Sequence, residues 1–291
     1  MANTITLKRR IGSVKNTRQI TKAMELVAAS KMRRAQEYAA KGRTYREYAY
    51  SLLTRLSSIT EVEEHPLYVK RAIKKRLYIV VTSNRGLAGA YNANIIRMLT
   101  RLAIADRQAG ISTQVIAIGK QGANFARRVE GIDLIAAFTE IEDDPNANDI
   151  RPILETAISM YTDKTIDDVQ LLYTQFKTNL VQDATQLSLL PARFEATSEQ
   201  GNTTLLNSTF EPSIEVVLDN ITERLLEVQI WQAILESIAS EHSMRMMAMK
   251  SATDNANDLI DDLTLAFNTA RQAAITQELA EITGGAEAMK E

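Results

Sequence analysis

The chain predicts an α/β domain inserted between two long terminal helices that form an antiparallel coiled coil. Three observations carry this expectation. Ser213–Thr283 spans 71 residues with neither Gly nor Pro, and apolar or small residues recur along it in steps of three and four. Thr4–Ser58 has the same character: its only glycines are Gly12 and Gly42, and no proline occurs before Pro66. Between these stretches, over Arg76–Phe176, short β-branched runs alternate with helical ones, the pattern of a mostly parallel sheet covered by helices.

The elements follow in order. In the first helix the expected stripe is Ile11, Val14, Ile20, Met24, Val27, Met32, Ala35 and Tyr38, and the small residues of Val27–Ser30 allow two backbones to approach closely. At 1.5 Å per residue the helix is about 80 Å long. Glu61–Lys75 is a charged link containing Pro66. Leu77–Thr82 then reads as a buried strand, Ser83–Ala90 as a turn and Asn92–Ala109 as a helix. Gln114–Ile118 is a second strand closed by Gly119, Gln121–Val129 a helix and Leu134–Phe138 a third strand. Asp149–Tyr161 is a helix with Pro152 in its first turn, and Asp168–Phe176 a fourth strand. Leu187–Phe194 fits an edge strand, because Pro191 cannot donate to a ladder. Thr197–Thr209 is polar and linker-like.

Pro212 suits the start of the last helix, which is roughly 105 Å long at 1.5 Å per residue. Its stripe runs through Ile214, Leu218, Ile221, Leu225 and Val228, then Leu235, Ala239, Met246, Met249, Ala252, Ala256, Leu259, Leu263, Ala266, Ala270 and Ala273. Gln232 and His242 fill two slots, and the step from Met249 to Ala252 to Ala256 slips the register once. The first helix is shorter, so one tip of the last should extend unpaired. Domain bounds of 1–60 plus 210–291 for the shaft and 70–205 for the inserted domain follow. The two helices meet only if that domain returns the chain close to where it left.

Composition narrows the function. There is no cysteine, which excludes a disulfide or a thiolate metal site, and two histidines, His65 and His242, do not suggest a metal centre. No apolar run reaches the ~18 residues of a membrane span, and no signal peptide is apparent; a soluble, intracellular chain is expected. The net charge of −2 conceals an asymmetry. Residues 1–76 hold 18 Lys or Arg against 6 Asp or Glu, a net of +12, and the remainder holds 16 against 30, a net of −14. The basic segment therefore faces an acidic surface, either an external partner or the last helix with Glu215, Asp219, Glu223, Glu227 and Glu236.

Residues 7–36 (LKRRIGSVKNTRQITKAMELVAASKMRRAQ) closely resemble the start of the γ subunit of F-type ATP synthase. Residues 83–92 (SNRGLAGAYN) and 247–256 (MAMKSATDNA) resemble further segments of that family. Residues 275–288 (ITQELAEITGGAEA) resemble its carboxy-terminal signature, with Thr276, Glu278, Glu281, Gly285 and Ala286 in place. The likeness is to the bacterial type, without the photosynthetic regulatory insertion.

The resemblance implies a rotor without an active site or cofactor. Its partners would be the α and β subunits of the α3β3 hexamer, the ε subunit and the c ring. Its place would be the cytoplasmic face of the bacterial inner membrane, reached only through the complex. The inserted domain would be a Rossmann-like foot. Hexamer contacts implied by resemblance are Arg271, Gln272, Thr276 and Glu278 on the last helix, and Met24 with Lys22, Lys31, Arg33, Arg34, Arg9 and Arg10 on the first. Thr203, Thr204, Leu205 and Leu206 are candidates for contact with the ring. The Met244, Met246, Met247 and Met249 cluster reads as seam packing and His242 as a polar break rather than a ligand.

Three other readings are weighed. Ser83–Ala90 as a phosphate cradle lacks both GxGxxG and GxxxxGK[ST], so direct nucleotide binding is not expected. Nucleic-acid binding by the basic helix conflicts with its buried-looking stripe and the pI of 5.9. A coiled-coil scaffold without a rotary role fits the pattern and is the alternative.

Overall fold

The computed structural model describes residues 2–56, 65–192 and 214–288. Two long helices, α1 (Ala2–Leu56) and α5 (Ile214–Ala288), bracket an α/β segment. In order this contains β1 (Lys75–Val81), α2 (Tyr91–Gln108), β2 (Ser112–Ile118), α3 (Lys120–Ala126), β3 (Ile132–Phe138), α4 (Ala147–Thr162), β4 (Asp168–Phe176) and β5 (Gln182–Leu190). The chain divides into two compact units, residues 1–28 with 245–291, and residues 29–244.

The unit of residues 29–244 is built on one five-stranded sheet of order β3-β2-β1-β4-β5. The first four strands are parallel and β5 returns antiparallel to β4. Side chains alternate across the sheet as a strand requires. Leu77, Ile79, Val81, Ile116, Ile118, Val169 and Leu171 face one core, shared with α4, with Ala35 of α1 and with Leu226, Ile230, Ala233, Ile234 and Ile238 of α5. Tyr78, Val80, Val115, Ala117 and Leu172 face the other, under Ile95 and Leu99 of α2 and Ala123 and Ala126 of α3. The apolar runs of β1, β2 and β4 follow from this two-sided burial.

Two local features fix the turns. Gly119 sits at φ 91°, and a Cβ there would lie 2.1 Å from the Thr82 carbonyl oxygen, so only glycine fits the β2–α3 turn. Asn146 caps α4 by accepting from the Asn148 amide, and the Asp149 carboxylate accepts from the Asn146 amide in return.

The edge strand runs over Gln182–Leu190, earlier than the expected Leu187–Phe194. Pro191 follows the strand instead of interrupting it. Its first half, Gln-Asp-Ala-Thr-Gln, is polar because only one neighbouring strand and one partly covered face demand apolar residues there.

The unit of residues 1–28 and 245–291 consists of the two helices alone. On α1 the side chains withdrawn from solvent are Thr4, Leu7, Ile11, Val14, Arg18, Thr21, Glu25 and Ala28, with Met24 beside them. On α5 they are Met249, Thr253, Ala256, Ile260, Leu263, Phe267, Ala270 and Ala274. Both series step alternately by three and four, which defines a heptad seam. Arg18 Nη1 donates to Asn257 Oδ1 at 3.2 Å, and the Thr21 and Thr253 hydroxyls meet at 2.8 Å. Numbers rise on one helix as they fall on the other, so the pair is antiparallel.

Candidate functional site

The seam differs from the stripe expected of the sequence. Ile20 and Val27 are 60% and 55% exposed, while Arg18 and Thr21 occupy the seam. On α5 the expected Leu259 is 47% exposed and its neighbour Ile260 only 8%. Phe267 and Ala274 likewise replace Ala266 and Ala273. The expected register slip disappears once Thr253 is counted, since Met249, Thr253 and Ala256 continue the alternation. The cause is chemical. A polar residue whose hydroxyl is satisfied can sit in a seam. Thr253 donates to the Met249 carbonyl at 2.8 Å or to Thr21, and Thr21 donates to the Arg18 carbonyl at 3.0 Å or to Thr253.

Outside the seam this unit exposes apolar and cationic side chains together. Ile5, Ile20, Leu26 and Val27 on α1 are exposed, as are Leu265, Ile275, Leu279 and Ile282 on α5. Arg9, Arg10 and Lys22 are exposed, Lys22 lying 3.0 Å from Glu25, and Met24 is half-buried. Arg271, Gln272, Thr276 and Glu278 are all exposed, with the Thr276 hydroxyl donating to the Gln272 carbonyl at 2.9 Å.

The remaining candidates on α1 lie in the larger unit. Arg33 and Arg34 are exposed. Lys31 is engaged: its Nζ stands 2.5 Å from Asp143 Oδ2 in the β3–α4 loop. His242 of α5, buried, places Nε2 3.0 Å from Asp143 Oδ1. The His242 hydrogen bond and the Lys31 ammonium hold the Asp143 carboxyl well below the usual carboxylate range, against partial burial. Met249 is buried and Met246 and Met247 are half-buried. Thr203, Thr204, Leu205 and Leu206, with the linker Thr197–Thr209, lie outside the described residues.

In a doubly wound sheet, ligands bind where strand order reverses, at the carboxyl ends of the strands. Here that place lies between β1 and β4, and α5 packs across it. The Thr174 amide donates to Ser237 Oγ at 2.8 Å, and Ser240 Oγ donates to the Thr174 carbonyl at 3.2 Å. Ser243 Oγ donates to the Asn179 carbonyl at 2.9 Å in the β4–β5 turn. A Cβ on Gly89, in the β1–α2 turn, would rest 3.7 Å from the Met244 carbonyl oxygen. Within that turn the Ser83 amide donates to Asn92 Oδ1 and Asn92 Nδ2 donates to Ser83 Oγ. The Ser237, Ser240, Ser243 spacing was legible as three polar residues on one helix face. It was missed because serine also reads as a neutral helix residue.

A buried ionic cluster at the opposite strand ends was also missed. Arg76 of β1 bridges Asp106 of α2 and Asp168 of β4, and Tyr78 Oη donates to Asp106 at 2.7 Å. Burial and the Asp106 carboxylate push the Tyr78 phenol well above its ordinary value. The cluster locks α2 to the sheet. Among the described residues no group of His, Cys, Asp or Glu is placed to hold a metal ion, and no helix is long and apolar enough to cross a membrane.

Comparison with known proteins gives these features a family. The family described as ATP synthase matches residues 3–289. The ATP synthase gamma chain of Acidithiobacillus ferrooxidans is 40% identical over 289 residues, covering 99% of this chain and 100% of the relative. Those of Moorella thermoacetica and Herpetosiphon aurantiacus are 40% and 44% identical, with all of each chain covered. Among solved structures, a chain of the Euglena gracilis mitochondrial ATP synthase (OSCP/F1/c-ring, rotational state 3) matches 99% of this chain and 95% of its own, with a TM-score of 0.70 at 18% identity. A chain of the Tetrahymena thermophila mitochondrial ATP synthase central stalk and c ring matches 80% of this chain and 99% of its own, with a TM-score of 0.59 at 24% identity. Full-length identity near 40%, together with a family match over residues 3–289, means that this chain belongs to the ATP synthase gamma chain family.

Proposed function

We propose that this chain is the central-stalk rotor of an F1Fo ATP synthase, coupling rotation of a membrane c ring to conformational change at the catalytic β subunits. On this reading it carries no active site. Its partners are the α3β3 hexamer, the ε subunit and the c ring, and it reaches the cytoplasmic face of the bacterial inner membrane only through that complex. Division into a shaft of residues 1–60 with 210–291 and a foot of residues 70–205 is part of the same proposal.

The observation that carries the reading is the antiparallel α1–α5 seam, whose outer faces carry exposed apolar and cationic side chains side by side. A shaft drives its surroundings only through contacts that differ among their conformations; equal affinity for all shifts nothing. Two helices with different outer faces supply that inequality. Arg9, Arg10, Lys22, Met24, Lys31, Arg33 and Arg34 on α1, with Arg271, Gln272, Thr276 and Glu278 on α5, are the proposed hexamer contacts. Exposed Arg–carboxylate pairs are worth about 0–1 kcal/mol each, which suits contacts that break and reform. Lys31 already has an internal partner. Thr203, Thr204, Leu205 and Leu206 remain the proposed ring contact.

The test is reconstitution with α and β subunits. A rotor assembles one copy with three of each and sustains ATP turnover, and a bead fixed to the foot turns in one sense. Assembly that leaves turnover and bead motion absent would favour a coiled-coil scaffold.

A further inference from the structure

We propose that Asp143 is a positioning residue that fastens both long helices to the α/β unit, through Lys31 on α1 and His242 on α5, and so fixes the longitudinal register of the two helices at this level. The consequence in the assembled complex rests on the rotor reading; the tether itself does not.

The geometry is that of a single carboxylate shared between two helices. Oδ2 faces Lys31 Nζ at 2.5 Å and Oδ1 faces His242 Nε2 at 3.0 Å. The segment that presents it, between Phe138 and Ala147, is itself held at two further points. Trp231 Nε1 of α5 donates to the Pro145 carbonyl at 2.9 Å, and Asn146 is locked into the capping box of α4. Trp231 and His242 are eleven residues apart, close to three whole turns, so both lie on one face of α5 about 16 Å apart. Two anchors that far apart prevent the segment from pivoting on α5, and Lys31 then ties α1 to the same body.

Register needs such a device here because the packing supplies little of it. The buried α1 residues at this level are Met32 and Ala35, a flexible side chain and a small one. Knobs of this kind resist sliding weakly. A polar contact with one satisfying geometry specifies register where apolar surfaces do not. Lys31 and Asp143 are both half-exposed, so the pair adds little to stability. Its place is what matters: sliding of α1 along α5 by a full turn, about 5.4 Å, carries the Lys31 ammonium away from Asp143.

The experiment uses the full chain, alone and in the α3β3 complex, with Asp143→Asn, Lys31→Met, the double variant and Asp143→Glu. In the isolated chain, amide exchange of residues 139–144 should accelerate about fivefold or more in Asp143→Asn, with a red shift of Trp231 emission. The double variant should match Asp143→Asn alone, since Lys31→Met removes a contact that Asp143→Asn has already removed. Asp143→Glu should recover part of the protection. In the complex, the torque on a bead fixed to the foot during ATP hydrolysis should fall in Asp143→Asn and recover in Asp143→Glu. Unchanged exchange in Asp143→Asn, or effects of the two single variants that simply add, overturns the tether. Altered exchange with wild-type torque overturns the positioning role. Failure of the wild-type chain to sustain turnover with α and β subunits overturns the rotor reading instead, and leaves the exchange comparison standing.

Discussion

At the scale of single residues, the chain spends its buried charges on joints between elements. Arg76 is the clearest. It neutralises two buried carboxylates, Asp106 and Asp168, that belong to α2 and β4. Replacing it by methionine preserves most of the apolar stem and leaves both carboxylates without their cation. Breaking a buried ionic group by removing one partner costs about 3–5 kcal/mol. Arg76→Met should therefore lower the urea midpoint of the α/β unit strongly, and Arg76→Met with Asp106→Asn should lie closer to wild type than Arg76→Met alone. Asp143 gives a second test, with a defined sign. Its carboxyl is held below the ordinary carboxylate value, first by His242 and then by Lys31. The stability it contributes is thus present above about pH 4, the unfolded value, and is lost as pH falls further. The unfolding midpoint of wild type should decline more steeply below pH 4 than that of Asp143→Asn, when both are followed by circular dichroism. Neither joint was legible in the sequence, because Arg76, Asp106 and Asp168 become neighbours only when the parallel sheet forms, as do Lys31, Asp143 and His242.

At the scale of elements, the Thr21–Thr253 contact places two buried hydroxyls against each other in the seam, and it makes a quantitative demand. Each hydroxyl has one proton. Thr21 is within reach of the Arg18 carbonyl and Thr253 of the Met249 carbonyl, so one hydroxyl bonds its own helix while the other donates across. Thr21→Val or Thr253→Val removes the hydrogen bond between the helices while the remaining hydroxyl donates to its own helix, at a cost of about 0.5–1.5 kcal/mol. The double variant makes the site wholly apolar and should cost less than the sum, a coupling read from a double-mutant cycle on the thermal midpoint of the full chain. Strict additivity would show that the hydroxyls do not interact. The same residues explain what the sequence concealed. Strand runs such as Leu77–Val81 and the Gly/Pro-free helices have one physical reading, so the order of elements was legible. A seam position is chosen from two adjacent apolar residues, as with Leu259 and Ile260, or is polar, as with Arg18 and Thr253. Hydrophobicity ranks those choices wrongly whenever an outer face is itself apolar. Exposed Ile20 and Val27 were read as seam residues for that reason, and their exposure, together with Arg9 and Arg10, is what the proposed partner contacts require.

At the scale of the whole molecule, the two compact units predict separable behaviour. Residues 271–291 belong to the unit made of helices alone, and the described side chains among them are exposed except Ala274, which is partly covered. The core of the α/β unit is assembled entirely from residues between Ala35 and Ala239. Ending the chain after Ala270 removes Arg271, Gln272, Thr276 and Glu278 together with the exposed Ile275, Leu279 and Ile282, and removes nothing from that core. Hydrogen exchange of β1, β2 and β4 should accordingly stay within about twofold of wild type, the scale of a surface change below ~0.5 kcal/mol. Assembly with α and β subunits should weaken, and the stall torque of the complexes that do form should drop, because the contacts proposed to distinguish three β conformations have been lost. Exchange that collapses throughout residues 76–190 would show that the helical unit supports the fold of the sheet. Torque indistinguishable from wild type would move the discriminating contacts to α1, onto Arg9, Arg10 and Lys22, whose substitution by glutamine in the shortened chain then becomes the decisive measurement.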